Sequence, residues 1–310
     1  MRGTFATIHK KWINGDQVVY KTYSKLHGKL VLQHLKRELM ALKQFDIQSE
    51  KDSRQHHIIY FMGHLDTAEA HHLIFPLYKQ DLQSLLNNQK KNSKELANAF
   101  LYQISEGLEY MHQHDIIHCD LSPSNILIDD SLGYIHMFIS DFGCAHHSFM
   151  SKEDDKKRDL GINDDDDVVV VVGKRYYKAP EHLFGSKKYA PSTDIWSLGV
   201  IFLEILIGYP IFAGETDIEQ IGKIVFRLGI PSNKVQNNEM SSYPDINKLN
   251  FFFTTDEEEI GTKEEYRKSL QQVMDEERLS KEIQDIIKNT LTWSIKDRWT
   301  ILSCKKNNIN

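Results

Sequence analysis

The sequence predicts an α+β chain of two lobes, a small β-rich N-terminal lobe with one main helix and a larger, mainly α-helical C-terminal lobe. Three observations carry this. Residues 1–75 hold short runs of β-branched and aromatic residues around the turn signal Asn14-Gly15-Asp16. From Asp81 onward apolar residues recur mostly at helical spacing. Two short β-like runs, 126–128 and 134–139, interrupt the helices and are joined by the polar turn 129–133.

In chain order, Thr7-Ile8 and 18–23 read as strands. Leu32, Leu35, Leu39 and Leu42 then fall at helical spacing, so one helix is expected over 30–45, bounded by Leu30 and Phe45. Further helices are expected over 82–86, 95–112, 193–206, 218–228 and 281–291. Two stretches look irregular: 152–172, which contains Asp164 to Asp167 followed by five valines, and the acidic 254–263, read as a solvated loop.

With 310 residues the chain buries a proper core without staples. Hydrophobic content of 40%, charged content of 26% and a formal charge of −6 imply no basic face for nucleic acid. Cys119, Cys144 and Cys304 are too scattered for a disulfide framework, so an intracellular location, cytoplasm and/or nucleus, is expected. Neither secretion nor membrane insertion is supported, because no apolar h-region follows Met1 and the most apolar stretch, 195–206, contains Glu204.

The residues that carry chemistry surround the expected hairpin. His118-Cys119-Asp120-Leu121-Ser122-Pro123-Ser124-Asn125, Ser140-Asp141-Phe142-Gly143 and Lys178-Ala179-Pro180-Glu181 occur in that order, with Asp194 to Gly199 and Arg298 behind them. Together they resemble the catalytic loop, the metal-binding Asp and the activation-segment end of the protein kinase superfamily, Ser/Thr type, over nearly the whole chain. Phosphoryl transfer to a hydroxyl calls for a positioned carboxylate and for oxygen ligands that hold Mg²⁺ against the phosphates. Asp120 suits the first task, and Asn125 and Asp141 the second. Taken alone, an Asp or Asn here reads as a turn or cap residue, and only their joint order outweighs that reading.

The resemblance then implies a bilobal protein kinase fold over 1–310: an N-lobe at 1–75 lacking part of its first strand, a hinge at 76–80, a C-lobe at 81–310 and an activation segment at 141–181. It implies ATP and Mg²⁺ as cofactors and protein substrates. Catalytic roles fall on Asp120, Lys21 and Asn125, and metal ligation on Asn125 and Asp141. Nucleotide contacts fall on Gly3, Ile8, Val19, Lys21, Glu38, Phe75, Pro76, Tyr78, Asp81 and Leu127. Lys21 in Val18-Val19-Tyr20-Lys21 resembles the strand Lys that reaches the α and β phosphates, and Glu38 the helix Glu that pairs with it. Phe75 resembles a gatekeeper, Pro76 keeps the C=O and Tyr78 the N–H that adenine needs, Asp81 belongs near the ribose, and Val19 with Leu127 sandwiches the ring. Arg37-Glu38-Leu39, Tyr176-Tyr177-Lys178 and the run 214–231 resemble the cyclin-dependent-kinase-like branch, in particular cell-cycle-related kinases, which adds a cyclin-like activator against the 30–45 helix. Glu181 and Arg298 look like the pair that anchors the activation segment.

Several positions depart from that pattern. The phosphate loop keeps only Gly3, with Met1 and Ala6 at the flanking glycine positions, and Phe5 stands where that branch has an inhibitory Tyr. Cys119 replaces the Arg that receives an activating phosphate, and 152–175 has no hydroxyl side chain. Ser122 replaces the catalytic-loop Lys while Lys174 stands where a Thr is usual, so Lys174 is expected either to restore the charge by reaching Asp120 or the γ-phosphate or to point into solvent. Lys178 replaces an Arg of the proline-directed pocket. A pseudokinase that binds nucleotide or protein as a scaffold is the alternative reading. A metal-binding protein built on His112, His114 and His118 or on the His pairs lacks familiar ligand spacing.

Overall fold

The structure is a computed structural model that describes residues 5–88, 94–147, 174–250 and 268–306. Its packing divides into two compact units, one of residues 1–87 with 106–172 and one of 88–105 with 173–310.

In the first unit, strands β1 (Thr7–Ile13) and β2 (Asp16–Ser24) form a hairpin closed at Asn14 and Gly15, whose φ values of 51° and 95° are both positive. That is the twist a two-residue hairpin turn needs, and an Asn-Gly pair adopts it at little cost. With β3 (Gly63–Asp66) and β4 (Ala70–Pro76) they make an antiparallel sheet of order β1-β2-β4-β3. Helix α1 (Gly28–Gln44) buries Val31, His34, Leu35, Glu38, Ala41 and Leu42, a stripe at spacings of three and four. A second short helix, α2 (Glu50–His56), was not expected. Its seven residues are mostly polar, and Ser49 starts it by accepting the Asp52 N–H. Strands β7 (Ile126–Asp129) and β8 (His136–Ile139) form the expected hairpin, next to the two-residue β5 (Gln80–Asp81). The carbonyl of His57 accepts the Ile139 N–H and the Ile59 N–H bonds back to the Ile139 carbonyl, which ties α2 to β8.

The second unit is helical. Its centre is α6 (Pro191–Ile207), of which every residue from Thr193 to Ile207 is buried, so it is buried all round where α7 (Asp217–Leu228) is amphipathic. Gly199 permits that centre: a Cβ there would stand 2.3 Å from the Thr290 hydroxyl on the neighbouring helix, Lys281–Thr290. Among the described residues no helix is long and apolar enough to cross a membrane.

Candidate functional site

Strand register assembles one face of the site. Ile8 pairs with Lys21, and Val19 with Phe75. Side chains alternate along β2, so Ile8, Val19, Lys21 and Phe75 share a face of the sheet. Phe75 is buried and packs on Phe61, while Val19 and Ile8 remain partly open. In β7, Ile126 and Ile128 are buried and the alternating Leu127 is half-open. The same period that builds the core therefore leaves Val19 and Leu127 available for a planar ring.

Lys21 is the hub. Its ammonium donates to Glu38 Oε1 at 2.7 Å and to Asp141 Oδ1 at 2.8 Å. Burial alone would lower its pKa, but Asp141 and Glu38 outweigh that and hold it well above the ordinary value. Glu38 is buried in α1, and burial pushes its carboxyl upward against the pull of Lys21. Its second oxygen accepts the hydroxyl of Tyr23, two residues past Lys21 on the same strand face. Asp141 stays 47% exposed, so the network is open on that side. Crowding by the protein works against its charge, yet Lys21 prevails and brings the carboxyl down to about 2.

The loop residues are fixed by backbone chemistry. The Asp120 N–H donates to His118 Nδ1 at 3.2 Å, and His118 Nε2 bonds the Ser140 carbonyl at 2.9 Å, so the ring carries its proton on Nε2. Asn125 Nδ2 donates to the Asp120 carbonyl at 2.8 Å and to Asp120 Oδ2 at 3.2 Å. The Ser140 N–H and hydroxyl both return to the Asn125 carbonyl at 2.9 Å. Cys119 and Asp141 hold φ values of 64° and 65°, a conformation that costs a non-glycine residue roughly 1–2 kcal/mol. Two such residues flanking the same hydrogen-bond ladder mark strain concentrated where carboxylates must be aimed.

The described residues contain no group of three or more His, Cys, Asp or Glu arranged as a metal cage. Asp141 Oδ and the Asn125 side-chain oxygen are instead two hard donors, and Mg²⁺ is commonly held by one or two carboxylates with phosphate oxygens and waters completing its shell. The donor set therefore fits Mg²⁺ carried with a polyphosphate.

Other expected residues stand as follows. Asp81 Oδ1 accepts the Ser84 N–H at 2.7 Å and starts helix α3 (Leu82–Asn88), so one carboxylate oxygen has a structural task. Tyr78 is packed against Phe138, and burial raises its hydroxyl to about 12. Pro76 closes β4 opposite Val18. Ser122 is buried, with its hydroxyl 3.3 Å from that of Ser124. Lys174 is exposed at the start of its described segment. Gly3, the Asp164 to Asp167 run and the rest of 148–173 lie outside the described residues, as does 254–263.

Two members were missed. Tyr23 was legible from period two alone. His34, one turn before Glu38, stacks on Phe5 with centroids 3.6 Å apart, and its Nδ1 would lie 2.8 Å from a Cβ on Gly143, which is why that position is glycine. Burial, with Arg37 adding to it, lowers the His34 ring to about 4.

A strand Lys bound to a helix Glu and to a loop Asp, beside a His-ordered Asp and Asn, defines a phosphotransferase site of the protein kinase type. The chain belongs to the protein kinase domain family, which it matches over residues 2–309. It is similar to Cyclin-dependent kinase 20 of Danio rerio, 35% identical over 180 residues, which cover 58% of this chain and 48% of that protein. It is also similar to Mitogen-activated protein kinase mpk-1 of Caenorhabditis elegans, 30% identical over 235 residues, 74% of this chain and 49% of that protein. The chain spans about half the length of these curated relatives. The first of these relatives is named a cyclin-dependent kinase, which agrees with the branch read from the motifs.

Proposed function

We propose that the chain is an active protein serine/threonine kinase, transferring the γ-phosphoryl group of ATP to protein hydroxyls with Mg²⁺. The observation that carries this is the Lys21 ammonium held between Glu38 and Asp141. Bound Mg²⁺-ATP supplies the electrophilic phosphoryl group with part of its charge neutralised.

The chain's own residues do the rest. Glu38, itself positioned by Tyr23, fixes the Lys21 ammonium so that it meets phosphate oxygens without reorganising. Asp141, kept ionised by Lys21, and the side-chain oxygen of Asn125 hold the cation. Asn125 Nδ2 orients Asp120, whose carboxylate accepts the proton of the attacking Ser or Thr hydroxyl. Ile8, Val19, Phe75 and Leu127 provide apolar faces for adenine, with the Pro76 carbonyl and the Tyr78 N–H as its polar partners. A cyclin-like partner against α1 is proposed because that helix carries Glu38, so whatever shifts α1 shifts Lys21.

The test is Mg²⁺-dependent phosphate transfer from ATP to a generic Ser/Thr protein substrate, compared with Asp141→Asn. Transfer that needs Mg²⁺ and is lost in the variant supports the reading. Nucleotide binding without transfer, with candidate cyclins added, would instead support the scaffold.

A further inference from the structure

Asp141 sits at φ 65°, a left-handed conformation that a residue with a side chain keeps only where its surroundings hold it there. Its carboxylate is 47% exposed, so the direction in which it points has to be set by the turn beneath it. Three contacts within the first unit constrain that turn. Lys21 bonds Asp141 Oδ1 at 2.8 Å, Phe142 packs on Phe45 and His118 with centroids 5.3 and 5.4 Å away, and His34 closes on Gly143. The first contact is charge and the second is apolar packing. The third is neither.

His34 lies one turn before Glu38 on α1, and both are buried. One helix face therefore reaches Asp141 twice, through Glu38 and Lys21 and through His34 and Gly143. The imidazole is a wedge. Phe5 stacks on it with centroids 3.6 Å apart and ring planes 17° apart, while its Nδ1 edge would stand 2.8 Å from a Cβ on Gly143. That Cβ position is itself 3.5 Å from Asp141 Oδ1, and the Gly143 N–H bonds the Asp141 carboxylate. His34 is 3% exposed, and its Nε2 is buried with no hydrogen-bond partner among the described residues. An apolar side chain of similar size would fill the space without stranding a polar atom, so core filling alone does not account for the ring. What the flat ring supplies is a stop. Pinned by Phe5, it leaves Gly143 no room to move toward α1, and the carboxylate bonded to Gly143 stays aimed.

We propose that His34 is a positioning residue, which by wedging between Phe5 and Gly143 fixes the Asp141 carboxylate for the divalent cation that accompanies a nucleotide. This rests on the reading of Asp141 as a cation ligand in the proposed function.

The experiment titrates a fluorescent, non-hydrolysable ATP analogue against the full chain, once with excess Mg²⁺ and once with EDTA, and reads the ratio of the two affinities. Wild type is expected to bind more tightly with Mg²⁺. His34→Ala is expected to keep the EDTA affinity within about twofold and to lose about tenfold of the Mg²⁺-dependent gain, the scale found when a group that orients a metal ligand is removed. Gly143→Ala is expected to lose a similar amount, because its Cβ displaces the ring. The double variant loses less than the two together, since the space opened at His34 admits the new methyl group. His34→Leu, which keeps the buried volume without the flat ring, repeats the His34→Ala result and serves where the Ala variant does not fold. A ring that only filled the core would, when removed, lower the melting temperature and weaken both affinities alike, which overturns the proposal. So does a Mg²⁺ gain unchanged in His34→Ala or His34→Leu, or losses that add in the double variant. A wild type whose affinity ignores Mg²⁺ removes the cation reading of Asp141 and this proposal with it. Phosphate transfer is measured separately. A Mg²⁺ gain that follows residue 34 without transfer keeps this proposal and removes the kinase activity, whereas transfer with a gain indifferent to residue 34 does the reverse.

Discussion

Each unit is built around a buried ion network, and the two differ in how they are closed. In the second unit Arg298 meets Glu181 with two bonds, 2.9 and 3.1 Å, adds the carbonyls of Ser192 and Thr292, and stacks its guanidinium over Trp196. Its side chain is 0% exposed and that of Glu181 2%. In the first unit Lys21 serves two carboxylates as a point charge, and one of them, Asp141, remains 47% exposed. The Arg fork matches a single carboxylate and leaves it no capacity for an incoming group, which suits an anchor. The Lys arrangement is asymmetric, with one carboxylate sealed and one facing solvent, which suits a site that must accept a cation and a phosphate. Buried charge is thus a fastening in one place and an unfinished coordination shell in the other.

Breaking the fastening has the largest expected effect on stability. Arg298→Met leaves Glu181 buried without its partner and is expected to cost roughly 3–5 kcal/mol, read as a lower denaturant midpoint for the second unit. Lys21→Met is expected to reduce phosphate transfer by about 10²-fold or more while lowering the melting temperature far less. The contrast arises because the Glu38 carboxyl, already pushed upward by burial, takes up a proton when its partner goes. Similar stability losses from both substitutions would contradict the contrast.

A third buried carboxylate sharpens it. Among the described residues Glu204 has only the Tyr177 hydroxyl as hydrogen-bond partner, and burial raises it to about 7. Because its folded value lies above the unfolded value of 4.5, stability is fully present below pH 4.5 and declines as pH rises to 7. Glu204→Gln is expected to flatten this slope and to stabilise the protein at pH 8 by up to about 3 kcal/mol. Thermal melting from pH 5 to 8 checks it, and an unchanged slope would be contrary to the account. The smallest effect is expected at Ser269, which caps the helix Leu270–Glu276 in a reciprocal box with Gln272. Ser269→Ala should cost about 1 kcal/mol without altering transfer.

What could be read in the sequence follows the range of each interaction. Asp120, Asn125 and Asp141 were legible because the chemistry confines them to short motifs around one hairpin. Lys21 and Glu38 were legible through residues that surround them in sequence, and the register that pairs Ile8 with Lys21 follows from the Asn14-Gly15 turn, whereas the pairing of Val19 with Phe75 is long-range and was not legible. The helix at 50–56 was not legible, because it is polar and one cap residue is its only clear signal. The Tyr177 to Glu204 bond joins residues 27 apart, and a Glu inside an apolar run gave no indication of its partner. His34 looked like a polar helix residue, and only the approach of Gly143 and Phe5 makes it part of the site.

If the Asp120 and Lys21 arrangements together make a phosphotransfer site rather than a nucleotide shelf, Asp120→Asn separates the two, measured at once for Mg²⁺-ATP binding by thermal shift and for phosphate transfer. Binding is expected to stay within about twofold of wild type, with transfer lowered by about 10²–10⁴-fold through loss of the base. Transfer that persists in the variant would show that Asp120 is not that base.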